Sequence, residues 1–394
     1  MNEFLMRGEL VGIRPVTSAV FDARPALETI KQLDFIRVCG SEGEARAMDV
    51  IAEGLSALGV EWWYHDFEDW WIEAIDPHLE LRGRKLPVRP VLEPSFLRES
   101  HRLPVDVRGA LAPVDDCDGR IAVCLDRESL VDSPAVARLL AFELEPEMES
   151  CLWAQEGRAD HVPTAYLRTE DIPLIRSAVG EQAALRWGLN RVQRQFRNIV
   201  AEFSGTSRPS ECVVMGAHID SWPGTVGASD NAAGCAILLE AAKWFGKHPP
   251  DRTVRLVWFT GEEIDARGSR AYVRGCIEDV SLVKLMVNVD STCELDTGPF
   301  GLAASDEQTV DWARGHLDLD GMEHSLSQCK GIDAGAFVEQ GIRALGFEAP
   351  CKPSAWDAHQ PDDRPETIDP HKLQFLGSVS LEAAIHAADT EVRK

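Results

Sequence analysis

Side chains of the metal-binding type follow a succession of apolar segments in the C-terminal half of the chain. In order they are His218 with Asp220, Asp230, Glu262 with Glu263, Asp290, and the WDAHQPDD segment around His359. One ionisable residue at the end of a predicted strand is unremarkable, because loop edges are polar. Open α/β sheets, however, place their sites at the carboxyl ends of the strands. Five successive clusters therefore predict one shared site.

The residue types suit a pair of zinc ions. Zinc accepts imidazole nitrogen and carboxylate oxygen, and two ions roughly 3.5–4 Å apart can clamp an attacking water. Such a pair needs a bridging carboxylate, and each ion needs its own imidazole and a further carboxylate. The set that meets this requirement is His218, Asp230, Glu263, Asp290 and His359.

Two carboxylates remain outside this ligand set. Glu262 stands beside Glu263, and a carboxylate next to the metal but not bound to it is what a general base requires. Asp220 lies two residues from His218 on the same face of the predicted strand, where it would orient the imidazole.

The elements that must position these residues form a regular pattern. Beyond residue 198, near-continuous apolar strands alternate with helices. This pattern predicts an α/β fold with a mostly parallel sheet that is covered on both faces. The segment that follows Asp369–Pro370 predicts a closing helix, with Asp as its cap and Pro in its first turn.

An earlier helix is predicted over residues 41–59. Ser41 and Glu44 have the spacing of a capping box, and Gly59 supplies a left-handed stop. Its apolar face consists of Met48, Ile51, Leu55 and Leu58.

The segment between the early helix and the α/β pattern has a different composition. From about residue 86 to residue 190 prolines recur and the predicted elements are short; the segment 133–155 predicts a helix running into a strand. The order and spacing are similar to the protease-associated domain that interrupts several exopeptidases. The sequence therefore predicts a catalytic domain formed by 1–85 and 191–394, with a small β-rich inserted domain at 86–190.

Composition limits the classes of partner. Of the 394 residues, 40 are basic and 65 acidic, which gives a net charge of −25, and 44% are hydrophobic. The hydrophobic content excludes a disordered chain, and the negative charge disfavours nucleic acid and anionic membranes.

The ten cysteines form no CxxC pair, which argues against a zinc ribbon or a redox site. Neither a signal peptide nor a membrane-length apolar run is visible, so a cytoplasmic location is expected. The sequence leaves homo-oligomers open.

Four ordered segments carry a family resemblance. GAHIDSWPGTVGASDNAAG, TGEEIDARGSRAYV, VNVDS and HQPDD resemble the signature blocks of the co-catalytic zinc aminopeptidase and carboxypeptidase family. That family also contains glutamate carboxypeptidases, glutaminyl cyclases and the transferrin receptor. The resemblance covers about residues 35–85 and 195–390. It implies a phosphorylase/hydrolase-like three-layer sandwich around a mixed sheet.

The resemblance also implies a role for each ligand. Asp230 would bridge two zinc ions, for which cobalt or manganese could substitute. His218 and Asp290 would complete one ion, and Glu263 and His359 would complete the other. With the metals so held, Glu262 would be the general base and Asp220 the residue that orients the imidazole.

One part of the family pattern is missing. Many relatives place a tyrosine close to the last histidine to stabilise the oxyanion, but here Ala358 precedes His359. The three tyrosines of the chain lie at positions 64, 166 and 272. The sequence therefore assigns no oxyanion donor. Asp363 matches the family's following aspartate, in a supporting or structural role.

The favoured function is a zinc-dependent aminopeptidase acting on short peptides. A site rich in carboxylates suits a free α-amino group, and DNAAG resembles the aminopeptidase form of the block that carries the bridging aspartate. A carboxypeptidase is the alternative, with Arg267 and Arg270 as candidates to hold a terminal carboxylate. A glutaminyl cyclase-like enzyme would need one zinc ion rather than two. A non-catalytic scaffold would be expected to have lost ligands.

Overall fold

The computed structural model describes residues 20–90, 104–124, 134–140, 162–222, 224–290, 293, 300–319, 322–326, 333–348 and 362–390. His359 and Ala358 lie outside the described residues. The chain divides into two compact units. One takes in the described residues of Met1–Phe67 and Phe196–Lys394, and the other is Glu68–Gln195 without its undescribed stretches.

The described residues form both helices and strands. The helices are α1 Ala23–Gln32, α2 Glu42–Ala57, α3 Ile172–Ser177, α4 Ala233–Phe245, α5 Arg267–Cys276, α6 Glu307–His316, α7 Asp333–Val338 and α8 Pro370–Asp389. The strands are β1 Trp62–Leu81, β2 Arg84–Pro90, β3 Val105–Pro113, β4 Ile121–Cys124, β5 Ala137–Leu140, β6 Thr164–Leu167, β7 Gln182–Phe203, β8 Arg208–His218, β9 Arg252–Phe259, β10 Val283–Asn288, β11 Gly301–Ala304, β12 His324–Ser325 and β13 Ala344–Glu348.

The first unit is built on a mixed, mostly parallel sheet in the order β7-β9-β8-β10-β13-β11-β12. The central strands β9, β8, β10 and β13 are parallel to one another. Along β8, Val213 and Met215 pack in one core with residues of α1, α2, α4 and α8, whereas Val214 packs in a second core with residues of α5 and α7. Because successive side chains of a strand point to opposite faces, both faces are covered by helices. The α/β sandwich and its mostly parallel mixed sheet are therefore confirmed.

The second unit has its own core, around which five described strands pair with one another. β3, β4, β5 and β6 are parallel neighbours, and β2 adds an antiparallel strand beside β6. Leu139 of β5 lies in the core of this unit, fully buried together with Ile121 and Ala165. The helix predicted to begin the segment 133–155 is wrong at Ala137–Leu140, because these residues pair on both sides as a strand.

Two sequence signals for helix ends are confirmed. Gly59 follows α2 with φ of +68°, a conformation that glycine adopts without strain. At α8, the side chain of Asp369 accepts a hydrogen bond from the backbone N–H of His371. The predicted apolar face of the earlier helix is wrong at Leu58, which is 40% exposed because α2 ends at Ala57.

Among the described residues, no helix combines the length and the apolar character needed to cross a lipid bilayer.

Candidate functional site

Three neighbouring parallel strands of the first unit end at one edge of the sheet. β8 ends at His218, which pairs in register with Phe259 at the end of β9, and β10 ends two residues before Asp290. The turn that carries Glu262 follows β9 directly. The strand ends thus deliver an imidazole and carboxylates to the same edge, as the sequence pattern predicts.

The structure brings together His218, Asp230 and Asp290. The Nε2 atom of His218 lies 3.0 Å from Oδ1 of Asp230 and 3.5 Å from Oδ1 of Asp290. One ligand atom from each residue lies within 4.8 Å of the others. His218 is almost fully buried and the two aspartate side chains are largely buried. An imidazole and two carboxylates at these separations could hold one metal ion.

The backbone next to His218 selects its tautomer. Nδ1 of His218 lies 3.1 Å from the carbonyl oxygen of Asp220, which can only accept a hydrogen bond. Nδ1 therefore carries the proton of the neutral ring, and the lone pair of Nε2 faces the aspartates. The Asp220 carboxylate stands 3.5 Å from the same nitrogen. This contact to the second ring nitrogen is what orients a metal-binding histidine.

The field of these carboxylates acts on His218. Burial lowers the pKa of the imidazole, but Asp290, Asp220 and Asp230 together outweigh burial and raise the pKa well above its ordinary value. The cluster thus favours positive charge at its centre. The residues present fit zinc for this reason: the ligand types are those that zinc accepts, and their charge attracts a cation.

Asp230 lies in an irregular helical turn, Ala228–Ala232, that leads into α4. Asp363 fixes this turn from a distant part of the chain. Its carboxylate accepts hydrogen bonds from the backbone N–H of Ser229 at 2.7 Å and of Asp230 at 3.0 Å. Asp363 thereby holds the backbone of a proposed ligand.

Glu262 and Glu263 begin a short helical turn, Glu262–Ile264, after a left-handed Gly261. The Asp220 carboxylate accepts a hydrogen bond from the backbone N–H of Glu262 at 3.2 Å, so one aspartate contacts both His218 and this turn. Burial raises the pKa of Glu262 well above its ordinary value, and the charges of Asp290 and Glu263 add to the rise. A carboxyl whose affinity for protons is raised in this way suits a general base.

The backbone after this turn is strained. Asp265 and Ala266 adopt φ of +71° and +49°, a region that residues with a Cβ rarely occupy. Hydrogen bonds hold the segment there: Arg267 donates its backbone N–H to the carbonyl of Gly261 at 2.9 Å, and Ala266 donates to that of Glu262 at 3.0 Å. Strain of this kind persists where the surrounding structure imposes it, and it concentrates at functional sites.

A buried glutamate on α2 supports the same turn. The carboxyl of Glu44 accepts the backbone N–H of Gly40 at 2.7 Å and bonds to the hydroxyl of Thr260, two residues before Glu262. Burial raises the pKa of Glu44 to about 8, and the charge of Asp220 adds to the rise. The predicted cap is present, since Ser41 Oγ accepts a hydrogen bond from the backbone N–H of Glu44. The Glu44 carboxyl itself bonds to Thr260 at the edge of the sheet.

A further acid was missed from the sequence. Asp333 opens α7 and is 1% exposed, and its Oδ1 atom has no hydrogen-bond partner among the described residues. Burial raises the pKa of Asp333 to about 7, while the charge of His218 lowers it and that of Asp290 raises it. The only sequence signal was an acidic residue within a small-residue stretch, GIDAGAF, which resembles an ordinary helix start.

The two arginines proposed to hold a terminal carboxylate have other contacts. Arg267 is 4% exposed and donates its Nε to the carbonyl of Ile264 at 3.2 Å. Arg270 donates to the Glu339 carboxylate at 2.5 Å and to the carbonyl of Asp265 at 3.0 Å. Tyr272 is fully buried in the core that α5 and α7 share, which agrees with the packing role that its sequence context favours.

One protein family matches the part of the chain that forms this edge. The sequence model of peptidase family M28 matches residues 198–384, which include His218, Asp230, Glu262, Glu263 and Asp290. The chain is 27% identical to carboxypeptidase Q of Rattus norvegicus over 240 residues, 58% of this chain and 50% of that protein. The chain thus spans about half the length of that relative.

Two bacterial proteins match over most of the chain. Aminopeptidase YwaD of Bacillus subtilis (strain 168) is 21% identical over 94% of this chain and 86% of its own. The solved structure of BSAP, a zinc aminopeptidase from Bacillus subtilis, superposes with a TM-score of 0.69 at 22% identity, covering 95% of this chain and 97% of that chain. At this identity the superposition shows a shared fold.

Proposed function

For a chain whose residues 198–384 match the sequence model of peptidase family M28, we propose a zinc-dependent exopeptidase that removes amino-terminal residues from short peptides. The observation that carries the proposal is the convergence of His218, Asp230 and Asp290 beside the Glu262 turn. The proposed ligands and the proposed base, whose pKa is raised, lie at one sheet edge, and this arrangement supports metal-assisted hydrolysis.

The proposed metal set has two parts. His218, Asp230 and Asp290 would hold one zinc ion, and Asp230 would be shared with a second ion held by Glu263 and His359, with cobalt or manganese as substitutes. When bound, zinc polarises the scissile carbonyl and lowers the pKa of a bound water. The compact geometry of the first three residues supports the first of these two ions.

The chain's own groups would move the protons. Glu262 would take a proton from the attacking water and deliver it to the departing amine. Asp220 would fix the position of the base relative to the imidazole. Its carboxylate accepts a hydrogen bond from the backbone N–H of Glu262, and its carbonyl accepts one from Nδ1 of His218. The raised pKa of Glu262 supports this role, since the carboxyl can hold the proton between the two transfers.

Amino-terminal cleavage is favoured by the charges at this edge. A crowd of carboxylates attracts a free α-ammonium group and repels a terminal carboxylate. Arg267 and Arg270, which a carboxypeptidase could use, instead bond to backbone carbonyls and to Glu339. The match to carboxypeptidase Q keeps carboxy-terminal cleavage as the second candidate.

The second unit is proposed to be a protease-associated-type domain that limits substrates to short peptides. Its compactness and its own core support an independent module. A length series of peptides tests this: turnover should fall as length grows, and equal rates on dipeptides and long unstructured chains would contradict the proposal.

The deciding experiment is mass spectrometry of a mixed pool of short peptides, some blocked at the amino terminus and some at the carboxyl terminus, after incubation with zinc-loaded protein. We expect shortening from free amino termini only. Shortening from the carboxyl end would replace the proposal with the carboxypeptidase, and loss of ammonia from amino-terminal glutamine would indicate cyclase chemistry. Glu262→Gln is the matched control, in which shortening should disappear if the chain itself is the peptidase.

A further inference from the structure

Arg37 is a fully buried arginine that the proposed mechanism does not use. It lies between α1 and α2, about 180 residues before the loop that joins the two proposed ligands His218 and Asp230. Arginine is almost never fully buried unless its charge is paired, so its presence here calls for a specific role.

The guanidinium of Arg37 donates to that loop. Nε donates to the carbonyl of Ile219 at 2.9 Å, Nη2 donates to that of Gly227 at 2.9 Å, and Nη1 bonds to that of Val226. Nη1 also donates to the carbonyl of Leu33 at 3.0 Å, which ties the loop to the end of α1. The fork thus bonds to both ends of the 219–227 loop, which lies between the two proposed ligands.

The backbone of Arg37 contacts the same loop. Its N–H donates to Oγ of Ser221 at 3.0 Å, and its carbonyl accepts the N–H of Ser221 at 3.3 Å. Ser221 in turn donates its hydroxyl to the carbonyl of Thr225 at 3.0 Å. Side chain and backbone therefore hold one loop from both ends, directly beside Asp220.

The charge of Arg37 faces acids of the site. Burial lowers the pKa of the guanidinium, whereas the charges of Asp363, Asp220 and Asp230 favour its protonated form. Arginine keeps its proton in proteins, so a positive charge remains beneath the carboxylates. Lysine could supply the charge but not the planar fork that reaches several carbonyls.

We propose that Arg37 is a positioning residue for the metal site: it holds the 219–227 loop so that Asp220 and Asp230 approach His218. The inference rests on the proposed zinc site and concerns metal affinity rather than turnover. Groups that orient metal ligands from behind typically change metal affinity by about 10- to 100-fold when they are replaced.

The test compares two buried arginines. Arg252 is 3% exposed and also donates to backbone carbonyls, those of Ala387 and Thr390, but it lies at the start of β9, at the other end of the strand. Arg37→Lys and Arg252→Lys are purified, their thermal midpoints are recorded, and the zinc Kd of each folded protein is measured by chelator competition.

We expect both variants to have lower thermal midpoints, but only Arg37→Lys to bind zinc about 10- to 100-fold more weakly. A zinc Kd for Arg37→Lys within twofold of that of the parent protein would overturn the inference, as would an equal loss in Arg252→Lys. Should Arg37→Lys fail to fold, Ser221→Ala removes the acceptor of the Arg37 N–H and leaves the guanidinium in place. Its zinc Kd should rise severalfold, and an unchanged value would overturn the inference.

Zinc binding is measured without a peptide, so the result is separable from the proposed function. A parent protein that binds zinc but shortens no peptide would refute the peptidase and leave the role of Arg37 open to the same comparison of zinc Kd values.

Discussion

The amino ends of the central strands carry paired opposite charges, whereas the carboxyl ends carry a cluster of acidic side chains. At the amino ends, Glu211 on β8 bonds to Arg252 at 2.5 Å and to Lys284 at 3.2 Å. At the carboxyl ends, Asp230, Asp290 and Glu262 share an edge with one another, and the described contacts among them centre on His218.

The pKa values follow this difference. Burial raises the pKa of Glu211, but its bonds to Arg252 and Lys284 outweigh burial and hold the pKa below its ordinary value. Burial raises the pKa of Glu262, and its acidic neighbours raise it further. Paired charges stabilise a fold on their own, whereas a crowd of like charges is stable only when a cation or a proton joins it. The charges at the amino end therefore stabilise the fold by pairing, and those at the carboxyl end are the proposed metal site.

The largest expected effect is on turnover at the carboxyl end. Glu262→Gln keeps the shape of the side chain and removes the base, so peptide hydrolysis should fall by about 10³-fold or more, within the range known for proton-transfer groups combined with lost charge. Steady-state kinetics with zinc-loaded protein measures it. Glu211→Gln is the control and should keep near-parent turnover; near-normal turnover in Glu262→Gln would remove its assignment as the base.

The next largest expected effect is a loss of folding stability when the metal is removed from the carboxyl end. Zinc present at about 1,000 times its Kd adds about 4 kcal/mol to the free energy of unfolding, because it binds the folded state only. Denaturant unfolding with zinc and with a chelator measures this increment. Asp230→Asn should lose most of it and Glu211→Gln should retain it. An increment in Asp230→Asn equal to that of the parent protein would place the metal elsewhere.

Breaking the pair at the amino end should cost stability alone. Glu211→Gln weakens the bonds to Arg252 and Lys284, and removing one partner of a largely buried charged hydrogen bond costs about 1–3 kcal/mol. Urea unfolding measures the cost, and chelator competition should show an unchanged zinc Kd. A changed zinc Kd would mean that the two strand ends are coupled rather than independent.

A smaller change, when it is expressed per pH unit, is expected in the pH dependence of stability. Glu44 titrates near pH 8 when folded and near its ordinary 4.5 when unfolded, so between these values only the folded state holds the proton. Its contribution is complete below about pH 4.5 and is lost as pH rises through 8, with a slope of at most about 1.4 kcal/mol per pH unit. Glu44→Gln should lower the slope of the free energy of unfolding of metal-free protein between about pH 5 and 8, and Asp333 and Glu262, whose pKa values are also raised, supply the slope that remains.

The contribution of Glu211 to stability depends on pH in the opposite direction. Its lowered pKa means that its contribution is present above the ordinary value and is lost as pH falls. Glu211→Gln should therefore change the acid side of the stability profile and leave the slope between about pH 5 and 8 as in the parent protein. An equal loss of slope in both variants would contradict the assignment of that part of the slope to Glu44.

Much of the site was predictable because its residues follow strands that sequence patterns identify. The period of the apolar residues fixes where β8, β9 and β10 end, so His218, Glu262 and Asp290 could be assigned to one edge from the amino-acid sequence alone. The helix at Asp369–Pro370 was predictable for the same reason, since its cap and its first turn are local.

The failures occur where the outcome depends on distant partners. Ala137–Leu140 has the composition of a helix and becomes a strand because β4 and β6 lie on either side of it. Glu44 has the spacing of a capping residue, yet its carboxyl reaches Thr260, 216 residues away. Arg37 carries no local signal at all, because the acceptors of its guanidinium in the 219–227 loop are backbone carbonyls.

The sequence by itself determined the chemistry: which side chains end the strands, how many could bind metal, and which family blocks they form. Only the tertiary structure decided what holds them in place. Arg37 and Glu44 are buried and form hydrogen bonds to residues far along the chain, and neither burial nor long-range hydrogen bonding leaves a periodic trace in the sequence. Ligand types are local properties of the chain, whereas their geometry and their pKa values belong to the packed fold.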